Sequence, residues 1–272
     1  MTTRADPSTL PSADRITFYG YWGIHAACLS VFAVGASALD VSLFLAVLAL
    51  CTFGITGGYH RYFAHRSFKT SRAFGFVLAW LGAGALQKGP LWWAAGHRRH
   101  HRYTDKPGDP HSPRDGFWYS HVGWIFDERW DETDVERIRD FAKRPELLWL
   151  DRWHLVPPLT LAGLCFGIGG VSGLVWGFCL STVVLWHATY AINSLGHLWG
   201  TRPYDTDDTS RNNVLLALLT MGEGWHNNHH HHMASSRLGL RWYQIDVGYY
   251  LLRTLAAVGL VWDLRPSPVS DP

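Results

Sequence analysis

The chain has 272 residues, and its 24 Lys and Arg nearly balance its 22 Asp and Glu. A formal net charge of +2 is too small to indicate a nucleic-acid-binding surface. The four cysteines lie inside apolar runs without Cys-x-x-Cys spacing, which excludes a disulfide or zinc-finger framework. No change in composition divides the chain, so we expect one domain over residues 1–272, with a polar N-terminal tail at residues 1–15.

Four apolar stretches approach the roughly 20 residues that a helix needs to cross a bilayer. They are residues 16–37, 41–59, 155–170 and 173–192. The turns that join the first two and the last two contain no Lys or Arg, whereas residues 61–152 carry 16 of the 24 basic residues. Because basic loops stay on the cytoplasmic side, the sequence predicts an all-α integral membrane protein with four transmembrane helices. Residues 61–152 and both termini are expected in the cytoplasm.

Three further apolar stretches are not predicted to span. Residues 73–86 and 214–221 are too short for a bilayer. Residues 247–262 are interrupted by Arg253, and this pattern favours an interfacial amphipathic helix with the arginine on its wet side.

Histidines are grouped in boxes around these stretches. His60 and His65 follow the second predicted span, and two later boxes repeat the spacing i, i+3, i+4, which places three imidazoles on one helix face. His197 ends the fourth span, one helical turn after Asn193. The histidines of these elements are His60, His65, His97, His100, His101, His197, His226, His229 and His230.

The predicted topology brings these boxes together. Between the second box and His197 the chain crosses the membrane twice, so all the boxes emerge at the cytoplasmic face. If residues 73–86 spanned the membrane, the first two boxes would lie on opposite sides. A single site therefore requires that stretch to be re-entrant or interfacial.

Eight or nine imidazoles are too many for one ion, so two metal ions are implied. Imidazole suits Fe, Zn, Cu or Ni, whereas structural zinc sites use four ligands and often include cysteine. Two redox irons can activate O2 for attack on an unactivated C–H bond, and the apolar scaffold favours a lipid-like substrate.

These boxes resemble those of the membrane-bound fatty acyl desaturases of the stearoyl-CoA (delta-9) type, in their bacterial branch. The resemblance covers about residues 52–239. It is carried by His60-Arg-Tyr-Phe-Ala-His65, His97-Arg-Arg-His100-His101, Asp109-Pro-His, Ser120-His-Val-Gly-Trp124, Asn193-Ser-Leu-Gly-His197 and Gly222-Glu-Gly-Trp-His226-Asn-Asn-His229-His230. It implies a cytosolic helical cap on four transmembrane helices, two iron ions held by the nine histidines, and Asn193 acting through water.

The resemblance also implies a reaction and its partners. O2 and two electrons remove two hydrogens from adjacent methylenes of a long acyl chain, which leaves a cis double bond and two waters. A ferredoxin or similar carrier with an NAD(P)H reductase is the expected electron donor, and a bacterial inner membrane is the expected location. Where relatives acting on acyl-CoA carry an Arg-Asp pair, this chain has Ala95-Gly96. Acyl-CoA is the favoured carrier, while acyl carrier protein and phospholipid remain open.

Other polar residues have alternative interpretations. Asp105, Asp109 and Glu223 either orient ligand imidazoles or are solvated loop carboxylates. We expect His231 and His232 to lie outside the ligand set. The histidines His25 and His187 are expected to be hydrogen-bonded core residues, and His111, His121 and His154 are expected to be structural or interfacial.

Two other functions fit parts of the pattern. A membrane hydroxylase would use the same pair of irons and is distinguished by its product. A histidine-rich metal transporter would place its ligands within the spans, whereas the boxes here lie at their cytoplasmic ends and beyond.

Overall fold

The computed structural model describes residues 12–266, which are mostly helical. The predicted tail at residues 1–15 lies largely outside the described residues. The α-helices are α1 Ser12–Cys28, α2 Val31–Val34, α3 Ala38–Phe53, α4 Arg72–Ala83, α5 Pro90–Tyr103, α6 Phe117–His121, α7 Pro145–Arg152, α8 Val156–Gly173, α9 Ser181–Asn193, α10 Leu195–Leu198, α11 Val214–Leu219, α12 His226–His231 and α13 Val247–Ala257.

Two π-helical segments and four short 3₁₀ turns complete the helical structure. The π-helical segments are Gly54–Ala64 and Leu174–Leu180, and the 3₁₀ turns are Pro113–Asp115, Gly123–Phe126, Glu128–Trp130 and Val135–Ile138. The prediction of an all-α fold misses one small feature. Strands β1 Lys69–Thr70 and β2 Val261–Trp262 pair antiparallel, and this ladder ties the C-terminal segment to the loop after the first histidine box.

The helix α3 continues without interruption into the first π-helical segment, so that Ala38–Ala64 forms one helix of 27 residues. Its start is fixed by a capping box, in which Ser37 accepts from the backbone N–H of Asp40 and Asp40 accepts from that of Ser37. Glycines allow α4 to approach it closely, since a Cβ on Gly54 would lie 2.4 Å from the backbone nitrogen of Gly82. This contact holds α4 against the helix that carries the first histidine box.

Residues 156–198 form a largely apolar, near-continuous helical segment of 43 residues, which folds back on itself. Gly170 leaves the helical region at φ 61° and ψ −148°. A Cβ on Gly177 would lie 2.9 Å from the Sγ of Cys165, so the two arms run side by side. The arms correspond to the predicted spans 155–170 and 173–192.

Among residues 12–266, two helices are long and apolar enough to cross a membrane, Ala38–Ala64 and Val156–Leu198. The predicted span 16–37 is divided, because α1 ends at Cys28 and the short α2 follows. The last turn of α1 tightens as Leu29 and Ser30 donate to carbonyls three residues earlier, and Gly35 then turns the chain at φ 71°. The apolar stretch 16–37 is therefore not one continuous helix.

The three stretches not predicted to span are short helices. Helix α4 has 12 residues, α11 has 6 and α13 has 11. Helix α4 buries Leu78, Ala79 and Ala83 against the core, and the sequence expectation that residues 73–86 do not span agrees with this length.

Candidate metal centre

The first histidine box lies on the π-helical segment Gly54–Ala64. The N–H of His65 donates to the carbonyl of His60 at 3.0 Å, and this i→i+5 bond is the repeat of a π-helix. In an α-helix, residues five apart would point about 140° away from each other. The wider π turn instead brings the two rings to 4.7 Å between centroids, which explains why this box has a spacing of five.

Five histidines converge beside this segment. One ring nitrogen from each lies within 4.8 Å of those of all the others, and the members of this five-histidine group are His60, His65, His97, His101 and His229. Their Nε2 atoms face one another in pairs. His60 and His229 are 3.0 Å apart, and His101 and His229 are 2.9 Å apart. The five-histidine group therefore joins the first π-helical segment, α5 and α12.

The remaining four predicted ligands form a second cluster that is fully buried. This four-histidine group consists of His100, His197, His226 and His230, again with one nitrogen each within 4.8 Å. The Nε2 atoms of His197 and His226 are 3.0 Å apart. The Nε2 atoms of His100 and His230 are buried, with no hydrogen-bond partner among the described residues. The structure thus brings all nine histidines of the predicted set into two groups, of five and four.

Carboxylates on the outer side of the rings fix their orientation. Glu223 lies 2.6 Å from the Nδ1 of His60, Asp109 lies 2.9 Å from that of His100, and Asp105 lies 3.5 Å from that of His197. Asp208, which the sequence analysis missed, lies 2.9 Å from the Nδ1 of His230. In the two hydrogen-bonded pairs, His100 with Asp109 and His230 with Asp208, the carboxylate only accepts, so Nδ1 carries the proton and Nε2 keeps its lone pair facing inward.

Burial keeps most of these imidazoles neutral. Burial, reinforced by neighbouring histidines, lowers the pKa well below the ordinary value in five of them, and these are His65, His97, His101, His226 and His229. Burial also lowers the pKa of His230 to about 4, although Asp208 opposes this shift. For His100, the charge of Asp109 and its hydrogen bond outweigh burial and raise the pKa. Neutral imidazole is the form that binds a metal.

These donors fit two cations. Because Asp109 holds the proton of His100 on Nδ1 and Asp208 holds that of His230, the facing Nε2 of each ring has only a lone pair to offer. These two inward nitrogens are buried and unpartnered among the described residues. Nine such nitrogens in two adjacent groups exceed the four to six positions around one ion, and imidazole suits iron and its neighbours in the first transition row.

A buried ion pair supports the back of the site. Arg61 is 1% exposed and donates to Asp246 Oδ1 at 2.8 Å, while the other oxygen of Asp246 accepts from the backbone N–H of Leu238. Arg61 also lies 3.7 Å from Glu223, which in turn accepts from Thr56. The acid that orients His60 is thereby linked to the C-terminal segment.

Comparison with known proteins identifies the family. A sequence model described as fatty acid desaturase matches residues 37–263. The chain belongs to the fatty acid desaturase family. It is therefore an oxidoreductase of the class that acts on paired donors with O2, and it desaturates an acyl chain. The function predicted from the histidine boxes is confirmed.

Curated relatives cover most of this desaturase. Acyl-CoA 5-desaturase AL21 from Anemone leveillei is 41% identical and covers 91% of this chain and 78% of its own length. The sn-2 palmitoyl-lipid 9-desaturase from Nostoc sp. is 40% identical and covers 93% of this chain and 90% of its own length. Delta-9 acyl-lipid desaturase 1 from Arabidopsis thaliana is 40% identical and covers 93% of this chain and 83% of its own length.

Asn193 lies on the wall of a cavity of about 130 Å³ in the desaturase, together with His97. His111 lines the same cavity and belongs to a smaller group with His100 and Asp109. Burial lowers the pKa of His111 to about 3. From the sequence, His111 is expected to be structural or interfacial, although its place in the motif Asp109-Pro-His is a signal that it lies beside the second box.

A second cavity, of about 630 Å³, adjoins the first and has the size of a ligand site. The two cavities share five lining residues, Gln87, Trp92, Trp93, Trp124 and Tyr190. Gln87 accepts from the indole N–H of Trp93 and donates to Thr189, so the junction is held by hydrogen bonds. Gly96 lines the first cavity, and a Cβ placed there would meet nothing within 4 Å.

The additional histidines are placed away from both groups. His231 stacks on Tyr204 with 4.5 Å between ring centroids, next to His232. Within residues 12–266, neither histidine belongs to a cluster of side chains that could hold a metal ion. His25 and His187 are hydrogen-bonded to each other, as expected for polar residues inside apolar helices.

Proposed function

We propose that this desaturase uses two iron ions and O2 to introduce a cis double bond at the Δ9 position of a long acyl chain. The observation that carries the proposal is the convergence of nine imidazoles in two adjacent groups. The ligands would be His60, His65, His97, His101 and His229 for one iron and His100, His197, His226 and His230 for the other. When bound, the irons supply the oxidising power that O2-dependent removal of two hydrogens requires.

The residues of the chain prepare the site for this chemistry. The carboxylates hold the imidazole protons on the outer nitrogens, and burial keeps the rings neutral. Asn193, on the cavity wall one turn before His197, would hold a water beside the four-histidine group. The two adjoining cavities offer a path for the acyl chain, with Gln87 and Thr189 at the junction.

The proposed membrane arrangement has four crossing helices and a cytosolic cap. The crossings would be α1, the helix Ala38–Ala64 and the two arms of 156–198. The cap would contain α5 and α12 with their histidines. The basic residues of the segment 61–152 support a cytoplasmic location for the cap, and a bacterial inner membrane is the proposed location.

The charges around the cavities bear on the carrier of the acyl chain. The two cavities are lined by four basic and four acidic side chains, namely Lys88, Arg99, Arg129, Arg152, Asp131, Glu132, Asp134 and Asp151. Lys88 pairs with Asp131, and Arg99 lies 3.7 Å from Asp134. A balanced lining supports a lipid-linked acyl chain over the polyanionic CoA that the sequence favoured. Acyl-CoA is the alternative, since relatives are named for either carrier.

The electron donor is proposed to be a ferredoxin or a similar acidic carrier with an NAD(P)H reductase. An acidic carrier would be attracted by the basic segment 61–152, because complementary charge speeds encounter between electron-transfer partners.

Expression in a desaturase-deficient host tests the proposal. We expect new cis-unsaturated fatty acids, with the double bond at Δ9 in mass spectra of their derivatives. Purified protein with donor and reductase should convert labelled stearoyl phospholipid in vesicles faster than labelled stearoyl-CoA. A hydroxylated product would identify the hydroxylase alternative instead. Preference for the CoA ester would overturn the carrier assignment alone.

A further inference from the structure

The larger cavity, of about 630 Å³, has an apolar part and a polar part. The apolar part is lined by Gly20, Tyr21 and Ile24 of α1 and by Leu86 and Trp186. The polar part is lined by charged and hydrogen-bonding side chains from outside the apolar helices, namely Lys88, Asp131, Thr133, Asp151, Arg152 and His154. A molecule with a charged head and a long apolar tail is divided in the same way.

Exposed aromatic side chains indicate that this cavity lies at the level of the membrane surface. Tyr19 and Trp22 are next to lining residues of α1, and Trp153 lies between the lining residues Arg152 and His154. All three aromatic residues are at least half exposed, and Tyr and Trp collect at the membrane–water interface. The apolar helix α8 begins two residues after His154. A membrane lipid can therefore meet the polar part with its headgroup and the apolar part with its acyl chains.

The two acids of the polar part are already engaged by other groups. Asp151 Oδ1 accepts from two backbone N–H groups in the first turn of α5, each at 3.0 Å, and its Oδ2 accepts from Thr133 at 2.8 Å. Asp131 pairs with Lys88. Within residues 12–266, no carboxylate lies within ion-pair distance of Arg152, whose guanidinium instead lies beside a neighbouring aromatic ring. One positive charge of the cavity lining is therefore not neutralised.

Two further side chains of the polar part can donate hydrogen bonds to an anion. Burial, assisted by the charge of Lys88, lowers the pKa of His154, so its neutral imidazole has one N–H to donate. The ammonium group of Lys88 has three N–H groups, and Asp131 accepts from it through its backbone carbonyl and its carboxylate. A phosphate diester has one negative charge and free oxygens that only accept. It therefore matches one unpaired cation and these donors.

We propose that the polar part binds the phosphodiester of a membrane glycerophospholipid, with Arg152 as the ionic contact and Lys88 and His154 as hydrogen-bond donors. One acyl chain of the lipid would pass the junction at Gln87 and Trp93 to reach the metal centre. The polyanionic CoA fits this part less well, because one free arginine leaves most of its charge uncompensated. The inference rests on the proposed function and gives its lipid carrier a binding site.

Two lipids with the same acyl chains separate recognition of the phosphate from recognition of the chain. Distearoyl phosphatidylcholine has the phosphodiester and distearoylglycerol lacks it, and micelles of a non-ionic detergent present either lipid without competing phosphate. For Arg152→Gln, loaded with iron and supplied with the electron donor, we expect KM for the phosphatidylcholine to rise about 10-fold, the scale of one charge-assisted hydrogen bond. The KM for distearoylglycerol, the kcat and the iron content should not change.

Two matched variants control for the loss of an arginine. Arg152→Lys keeps the positive charge and should give a KM for the phosphatidylcholine between those of wild type and Arg152→Gln. Arg114→Gln removes an exposed arginine that lines neither cavity and should behave as wild type with both lipids.

Photo-crosslinking measures binding without turnover. A phosphatidylcholine with a photoreactive group in its head should label residues 145–155 of wild type and of Arg114→Gln, and should label Arg152→Gln far less. The site is overturned if Arg152→Gln keeps the wild-type KM and labelling, or if it raises KM for both lipids alike. A wild-type protein that is labelled at residues 145–155 but forms no unsaturated product would overturn the proposed function and support the lipid site.

Discussion

The two histidine groups differ in how many imidazoles they contain and in how many carboxylates orient those imidazoles. The five-histidine group has more nitrogens but one orienting carboxylate, Glu223, and three of its rings are only half-buried. The four-histidine group has one nitrogen fewer, is fully buried, and has three orienting carboxylates, Asp105, Asp109 and Asp208. Where fewer imidazoles are available, more of the ring orientation comes from acidic partners.

The two groups also differ in which segments of the chain supply their orienting acids. The histidines of both groups lie on helices or, for His65, directly after one, so helix packing positions them. The three acids of the four-histidine group lie on the segments between helices, at residues 105–109 and 208, whereas the five-histidine group has one acid, Glu223, in a turn. The four-histidine group should therefore depend more on these loops.

The largest effect is expected from loss of a ligand. His229→Ala and His226→Ala should each reduce double-bond formation by more than about 100-fold, because even partners that only orient a ligand contribute 10–100-fold. His226→Ala should lose more metal, since it leaves three nitrogens where His229→Ala leaves four. Fatty-acid profiling and elemental analysis measure the two effects. Retained activity in His229→Ala would count against the five-histidine group as a metal site.

A smaller effect is expected from the acids, and it should differ between the groups. Asp208→Asn removes the charge that orients His230 and should lower metal affinity by about 10–100-fold. Glu223→Gln should cost less, because four further imidazoles remain in its group. The exposed neighbour Asp207 is a matched control, and Asp207→Asn should bind metal as wild type does. Equal losses for Glu223→Gln and Asp208→Asn would remove the distinction between the groups.

Acid should empty the four-histidine group first. A metal is displaced when its imidazoles take up protons, and an imidazole whose pKa is lowered below the ordinary value of about 6.5 does so only at a lower pH. Four histidines of the five-histidine group have lowered pKa values, against two in the four-histidine group. In the four-histidine group the pKa of His100 is raised by Asp109, so this imidazole takes up a proton first as the pH falls. Asp105, with a pKa of about 2, is affected only below about pH 4.

Metal content measured across this range should therefore fall in two steps below about pH 6.5. The step at higher pH should be missing in His226→Ala. A single step common to both groups, unchanged in that variant, would contradict the order proposed here.

The smallest effect is expected from a charge far from both groups. Arg72 is 63% exposed and pairs with Glu146 at 2.6 Å. An exposed pair of this kind contributes less than about 1 kcal/mol, so Arg72→Gln should leave the product unchanged and shift the melting temperature only slightly. A large loss of metal in Arg72→Gln would show that charge removal acts through something other than contact with the imidazoles.

The sequence predicted that the nine histidines converge, but not how they divide into two groups. The spacing i, i+3, i+4 places His97, His100 and His101 on one helix face, yet the structure divides this box between the two groups. The spacing of His60 and His65 was recognised only as a pair, although a separation of five residues matches the π-helical bond between them. The nine histidines could be selected because their helix positions are local in sequence, whereas their division into five and four depends on how distant helices pack.

The carboxylates that orient the imidazoles show the same limit of prediction from the sequence. Asp109 and Glu223 are close in sequence to histidine boxes, so an orienting role could be proposed for them. Asp208 lies 22 residues before His230, in a polar segment with two other aspartates, and nothing local distinguishes it. In the fold, the turn of the first span at Cys28 escaped prediction because it depends on tight backbone hydrogen bonds and not on a change in hydrophobicity.

The buried contact between Arg61 and Asp246 has a consequence for biosynthesis. The arginine leaves the ribosome 185 residues before its counter-ion, and the strand that pairs with residues 69–70 follows later still. Until that stretch is made, the buried guanidinium group at the back of the site lacks its nearest acidic partner, and a buried ion pair that misses one member is strongly destabilising. Metal loading should therefore be a post-translational event, and a nascent chain that stops before residue 246 should be a substrate for proteolysis instead of an empty enzyme.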